Sequence, residues 1–133
     1  MDFTKPGIFE LPKFTDSRGS LSFAQNFDHV PFEIKRVFWI YDVPEGEKRG
    51  GHSHNEVNSV LIAVAGSMDI NLFDGEKWEH FHLDSPNKAL IHPRGYWVTL
   101  ENFSPGSVCM VLVDGLYNKD EYERDLDNFI ESK

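Results

Sequence analysis

Between residues 21 and 113, apolar side chains alternate with polar ones or gather in short runs, at 21–25, 34–43, 60–65, 68–73, 78–83, 89–92, 97–101 and 108–113. A period of two sends successive side chains to opposite faces of a strand, and no long helical period interrupts the series. The runs are parted by Pro44-Glu45-Gly46, Asp74-Gly75, Ser85-Pro86-Asn87, Pro93-Arg94-Gly95 and Ser104-Pro105-Gly106, each containing a residue that fixes or frees φ. Many short strands divided by turns predict an all-β chain, an antiparallel sandwich or barrel.

Asp74-Gly75 between two alternating runs signals a two-residue hairpin. Counting outward from it pairs Asn71 with Trp78 and Asp69 with His80. Met68, Ile70 and Leu72 then share a core face with Phe81, and His80 and His82 fall on the solvent side. After Leu116 the pattern changes. Tyr122, Leu126, Phe129 and Ile130 recur at i, i+4, i+7 and i+8, which predicts a short carboxy-terminal amphipathic helix laid on the sheet.

Composition narrows the picture. The chain of 133 residues, 40% hydrophobic and 14% aromatic, suits one domain over 1–133 with enough apolar surface for a core. A formal charge of -9 argues against nucleic acid as a partner, since phosphate backbones are held by many Lys and Arg contacts. The basic residues that could meet a phosphate form three islands: Arg18, Lys35-Arg36 and Lys48-Arg49. Cys109 is the sole cysteine, in an apolar run that reads as a buried strand, so no disulfide within the chain is expected. There is no basic, apolar leader, and no apolar stretch nears the roughly 18 residues that cross a bilayer. The expectation is a cytoplasmic protein without a membrane partner.

The most chemically informative stretch is Arg49-Gly50-Gly51-His52-Ser53-His54. Histidines at i and i+2 of a strand share a face and can share a cavity. A metal centre would need a further strong ligand to converge on them. Asn58 and Ser59 stand where such a carboxylate is wanted, so proton transfer competes with metal binding, and Glu56 is the one substitute nearby.

The spacing of Gly46, His52, His54 and Gly66 resembles the first motif of cupin barrels, and Pro93-Arg94-Gly95 resembles the start of the second. The remaining metal-ligand positions hold Ser59 or Asn58, and Val98. Four ordered blocks carry a narrower resemblance: Asp16-Ser17-Arg18-Gly19-Ser20-Leu21; residues 30–37, Val-Pro-Phe-Glu-Ile-Lys-Arg-Val; the histidine segment; and Tyr117-Asn118-Lys119-Asp120-Glu121-Tyr122-Glu123-Arg124. Together they look like the nucleotide-sugar 3,4-ketoisomerases. That resemblance implies an antiparallel jelly-roll cupin, dimeric and without metal or other cofactor. It would shift the ketone of a dTDP-4-keto-6-deoxyhexose from C4 to C3 through an enediol, in the making of deoxysugars for surface polysaccharides.

By the same resemblance His52 and His54 take the positions of the family's paired catalytic histidines, as base and acid in unassigned order. Histidine titrates near neutrality and can serve in either role. Arg18, Arg36 and Arg49 become candidates for the nucleotide end, because a guanidinium offers paired donors to phosphate oxygens. Trp97 becomes a candidate to pack on sugar or base. Several positions depart from the family's habit: Phe38 for tyrosine, Asn55 for lysine, Ser59 for glutamine and Val98 for histidine. Those departures keep two other readings in view, a cupin that binds a nucleotide sugar without turning it over and a metal-dependent cupin.

Overall fold

The computed structural model describes residues 3–133, and within them the chain forms twelve strands, one short α-helix and a single 3-10 turn at Lys119–Glu121. The strands are β1 (Gly7–Glu10), β2 (Lys13–Asp16), β3 (Gly19–Ser22), β4 (Arg36–Tyr41), β5 (Arg49–His54) and β6 (Ser59–Ala65). After them come β7 (Met68–Phe73), β8 (Trp78–Leu83), β9 (Lys88–His92), β10 (Trp97–Glu101), β11 (Val108–Val113) and β12 (Tyr122–Glu123), and the helix α1 covers Leu126–Glu131. Two five-stranded sheets, ordered β1-β9-β6-β11-β4 and β12-β5-β10-β7-β8, face one another, while β2 and β3 pair only with each other. Every ladder between named strands is antiparallel. This is the all-β jelly-roll architecture that the turn-punctuated runs and the cupin resemblance led us to expect.

The space between the sheets is filled by alternate residues of the central strands, among them Leu61, Ala63, Ile70, Leu72, Leu90, Val98, Leu100, Cys109 and Val111. A second apolar layer lies on the outer side of the first sheet, where Val60, Ile62, Ala89 and Leu112 are covered by Leu11, Val30, Phe32 and Ile34. β6 is therefore buried on both faces, which is why 60–65 reads as an unbroken apolar run. Cys109 lies in the main core, and burial pushes its thiol up to about 12, consistent with packing duty.

Three expectations need correction. The β7–β8 hairpin closes through four residues, not two: Phe73 pairs with Trp78, Asn71 with His80 and Asp69 with His82. The Asp74 side chain accepts hydrogen bonds from the backbone N–H groups of Glu76 and Lys77, which stabilises the longer loop. A slip of two leaves every face unchanged, so Met68, Ile70 and Leu72 are buried while His80 and His82 are exposed. The carboxy-terminal helix starts later than the stripe suggests, because Tyr122 belongs to β12. Only Phe129 is fully buried, against Phe73 and Trp97, whereas Leu126 and Ile130 are 39% and 42% exposed. Finally, the run at 21–25 is realised as β3, two residues earlier, and its partner β2 goes unannounced because both strands are largely exposed and lack a buried alternation.

Candidate active site

β5 carries the histidines, and a bulge in it decides where they point. β10 pairs Leu100 with Arg49 and Thr99 with Gly50, then Val98 with His52, so Gly51 is the extra residue. Without the bulge, residues three apart would face opposite ways. With it, Arg49 and His52 both line the cavity between the sheets. Gly50 is held at a φ of 87°, and a Cβ there would stand 2.7 Å from the Val98 carbonyl oxygen, so the bulge requires glycine at this point.

The cavity measures about 700 Å³, within the range of roughly 300–1,000 Å³ common for small-molecule sites. Its deep wall is made of buried Ser59, Leu61, His92, Val98, Leu100 and Val111. Exposed Asp42, Glu47, Lys48 and Arg49 surround the mouth. Lys48 is tied to Glu101 at 3.2 Å, which leaves Arg49 and Arg124 as the cavity's arginines.

His54 is held from three sides. Its carbonyl accepts a hydrogen bond from Gly95 N–H at 2.8 Å, and β12 pairs Tyr122 opposite it. Its ring Nδ1 lies 2.5 Å from Glu121 Oε1, and both side chains are buried. Glu121 is itself fixed: Oε2 accepts from Glu56 N–H at 3.2 Å and its carbonyl accepts from Asn55 N–H at 2.9 Å. The His52 ring meets the His54 ring edge-on at 4.9 Å, and Tyr122 lies 4.3 Å from His54 and 5.0 Å from His52. Arg124 lies over the Tyr122 ring at 4.7 Å.

Burial is the main force on the titration of these rings, because an imidazolium is poorly solvated there. It lowers His54 to about 4, helped by the charges of Arg36 and Arg124, and lowers His52 to about 4, helped by His54 and Arg124. The Asp114 charge pulls His54 the other way, but desolvation and two arginines prevail. Both rings are thus neutral at pH 7. A neutral His54 whose Nδ1–H donates to Glu121 keeps a bare Nε2, which is what a proton acceptor requires.

The other candidates from sequence are placed differently. Arg49 lines the cavity mouth. Arg36 does not line the cavity: its guanidinium lies between the rings of Phe38 and Tyr117, 5.4 and 5.5 Å away, and its buried Nε and Nη2 make no hydrogen bond among the described residues. Arg18 sits at the β2–β3 turn with its side chain 88% exposed, bound to Asp16 at 2.6 Å, outside the cavity. Trp97 is buried on the opposite face of β10 from Val98, 5.7 Å from Phe129, and serves packing rather than the cavity. Of the unusual positions, Phe38, Ser59 and Val98 line the cavity, whereas Asn55 is exposed. Among the described residues no group of three or more His, Cys, Asp or Glu side chains is arranged to hold a metal ion.

Sequence reasoning overlooked Glu121, Tyr122, Arg124 and His92 as members of the site. The first three stand in the tail block quoted for its resemblance, where the apolar stripe drew attention to a helix instead. His92 ends β9 and had no neighbour in sequence to mark it.

A jelly-roll barrel that encloses paired neutral imidazoles, one of them backed by a carboxyl, defines a cupin-like protein whose pocket is equipped for proton transfer. The chain belongs to the FdtA family, WxcM-like, C-terminal, which matches residues 4–133, and its similarity to the following relatives makes it an isomerase. It is 37% identical over 122 residues to the TDP-4-oxo-6-deoxy-alpha-D-glucose-3,4-oxoisomerase of Aneurinibacillus thermoaerophilus, covering 92% of this chain and 88% of that one. A 3,4-ketoisomerase from Helicobacter canadensis superposes with a TM-score of 0.93 at 38% identity, over 96% of each chain. A histidine-to-asparagine mutant of the 3,4-ketoisomerase QdtA from Thermoanaerobacterium thermosaccharolyticum, in complex with TDP-4-keto-6-deoxyglucose, gives 0.93 at 28% identity, covering 96% of this chain and 92% of that one.

Proposed function

We propose that this chain converts a TDP-4-keto-6-deoxyhexose to its 3-keto isomer, with His54 as the base and His52 as its partner in returning the proton. The observation that carries this reading is the buried His54–Glu121 pair beside His52 in a cavity large enough for a sugar. The proton on C3 is acidic because it lies α to the C4 carbonyl. His54 Nε2 takes it, the C3–C4 bond becomes an enediol, and a proton delivered to C4 leaves the ketone at C3. The hydrogen of the C3 hydroxyl ends on the C4 oxygen, so nothing is gained or lost overall. Cofactor chemistry has no part in the scheme.

The nucleotide end is assigned to Arg49 and Arg124, the guanidinium groups that line the cavity. Arg36 acts at a distance, through its charge on His54. Arg18 and Trp97 have no route to substrate within one chain. We also infer a homodimer, because the β2–β3 hairpin and the outer face of β4 expose Phe14, Leu21, Val37, Trp39 and Tyr41. No helix among the described residues is long and apolar enough to cross a membrane. The sugar-nucleotide substrate and the unpaired Cys109 suit a cytoplasmic location.

The test is incubation with TDP-4-keto-6-deoxyglucose in deuterated water, followed by NMR. Deuterium should replace the C3 proton and the 3-keto sugar should accumulate. Tight binding with no exchange would mean a sugar-nucleotide binding protein instead.

A further inference from the structure

Ser59 opens β6, His92 closes β9, and the two are directly opposed in the ladder on the deep wall of the cavity. The His92 Nε2 lies 2.8 Å from the Tyr96 carbonyl oxygen. A carbonyl can only accept, so Nε2 carries the ring's hydrogen. A neutral imidazole has one such hydrogen, which leaves Nδ1 bare. Nδ1 is 3.3 Å from Ser59 Oγ, so in that contact the serine must donate. Burial, holding His92 at about 3, keeps the ring in this neutral form throughout the physiological range. The hydroxyl hydrogen of Ser59 is therefore committed to His92, and what its Oγ turns toward the cavity is lone pairs.

We propose that Ser59, held by His92, determines substrate specificity by accepting a hydrogen bond from the C2 hydroxyl of the sugar. A one-way acceptor matches a hydroxyl donor and repels a carbonyl or phosphate oxygen, so it selects the sugar end of the substrate over the diphosphate. A 4-keto-6-deoxyhexose linked through C1 keeps free hydroxyls only at C2 and C3. The C3 hydroxyl must give up its hydrogen during the reaction, and passing it through Ser59 would push the serine's own hydrogen onto His92, whose burial opposes the imidazolium that would form. The unreactive C2 hydroxyl is the partner that needs only an acceptor. The His92 ring is 5.8 Å from that of His54, which puts this contact within one sugar ring of the base. Around it Leu61, Val98 and Val111 are apolar, so a hydroxyl arriving there finds few other partners.

This inference rests on the ketoisomerase reading, and the experiment separates the two. The kcat/KM of the wild type, Ser59→Ala and Ser59→Thr is measured for TDP-4-keto-6-deoxyglucose and for its 2-deoxy counterpart. The wild type should favour the hydroxylated sugar about two- to tenfold, the yield of one ordinary hydrogen bond. Ser59→Ala should bring the ratio to about one, mainly through KM and with C3 exchange intact, while Ser59→Thr should keep the preference. An unchanged ratio in Ser59→Ala overturns the proposal. Should the wild type turn over neither sugar, the ketoisomerase reading fails. Calorimetry with TDP-glucose and TDP-2-deoxyglucose then decides the acceptor role: a preference erased by Ser59→Ala supports it, and equal binding by the wild type overturns it.

Discussion

The sheet β12-β5-β10-β7-β8 carries two His-x-His pairs of identical spacing, His52/His54 on β5 and His80/His82 on β8, and they differ in everything that matters for chemistry. The register aligns His52 with Val98, Leu72 and Glu79, on the side that faces the opposite sheet. His80 and His82 fall on the other side, where they are exposed and bonded to Asn71 and Asp69, each at 2.6 Å. Enclosure lowers the first pair, whereas the open hydrogen bond to Asp69 raises His82. Spacing alone brings two imidazoles onto one face of a strand. It takes the phase of the pleat, set by a bulge at Gly51 in one case and a four-residue loop in the other, to decide whether that face meets a cavity.

The sharpest way to break this contrast is to remove one ring from each pair. His54→Asn and His52→Asn should each reduce kcat by on the order of a hundredfold or more, as expected for a lost general acid or base. His80→Asn and His82→Asn should leave kcat and KM unchanged. A rate loss in a β8 variant comparable to that in β5 would mean that enclosure is not what makes the first pair catalytic.

A smaller effect is expected from the group that orients the inner pair. Glu121→Ala removes the acceptor that fixes the His54 ring, and kcat should fall about ten- to a hundredfold, the scale associated with misplacing a reacting group. Glu121→Gln retains an oxygen at that point and should lose less. Equal losses in the two variants would show that the charge, not the alignment, is what His54 needs from this residue.

How far the sequence disclosed all this follows from the range of each signal. Strand runs such as 68–73 and 108–113 were legible to the residue, because packing on one or two faces imposes a period that any window detects. β2, β3 and β12 were not, since their pairing is short and mostly exposed and imposes no burial on neighbours. The histidine pair stood out because both members lie on one strand. Its supporting groups did not: Glu121 is 67 residues from His54, and His92 is 33 from Ser59. Contacts of that span exist only once the sheets have closed, and no local pattern announces them. Trp97 shows the converse, a residue singled out through resemblance whose pleat phase points it away from the cavity.

The gentlest probe of the contrast is titration. His52 and His54, at about 4, and His92, at about 3, all lie below the 6.5 of an unfolded histidine. The unfolded chain therefore binds more protons than the native one between those values, and the stability these rings contribute is complete above about pH 6.5. It declines as the pH falls through 6.5 and toward 4, so the thermal midpoint should drop over that window while kcat/KM stays level until the pH approaches 4. His82 has the opposite sign: raised above 6.5 by its hydrogen bond to Asp69 and by the charges of Asp69 and Asp84, it favours the folded state at low pH and loses that contribution as the pH rises past its folded value. Asp69→Asn removes the charge and should move the His82 midpoint, followed by NMR, down toward 6.5 without altering the pH profile of kcat/KM. A shift in that profile would couple the outer pair to the cavity, and the two faces of the sheet could no longer be treated as independent.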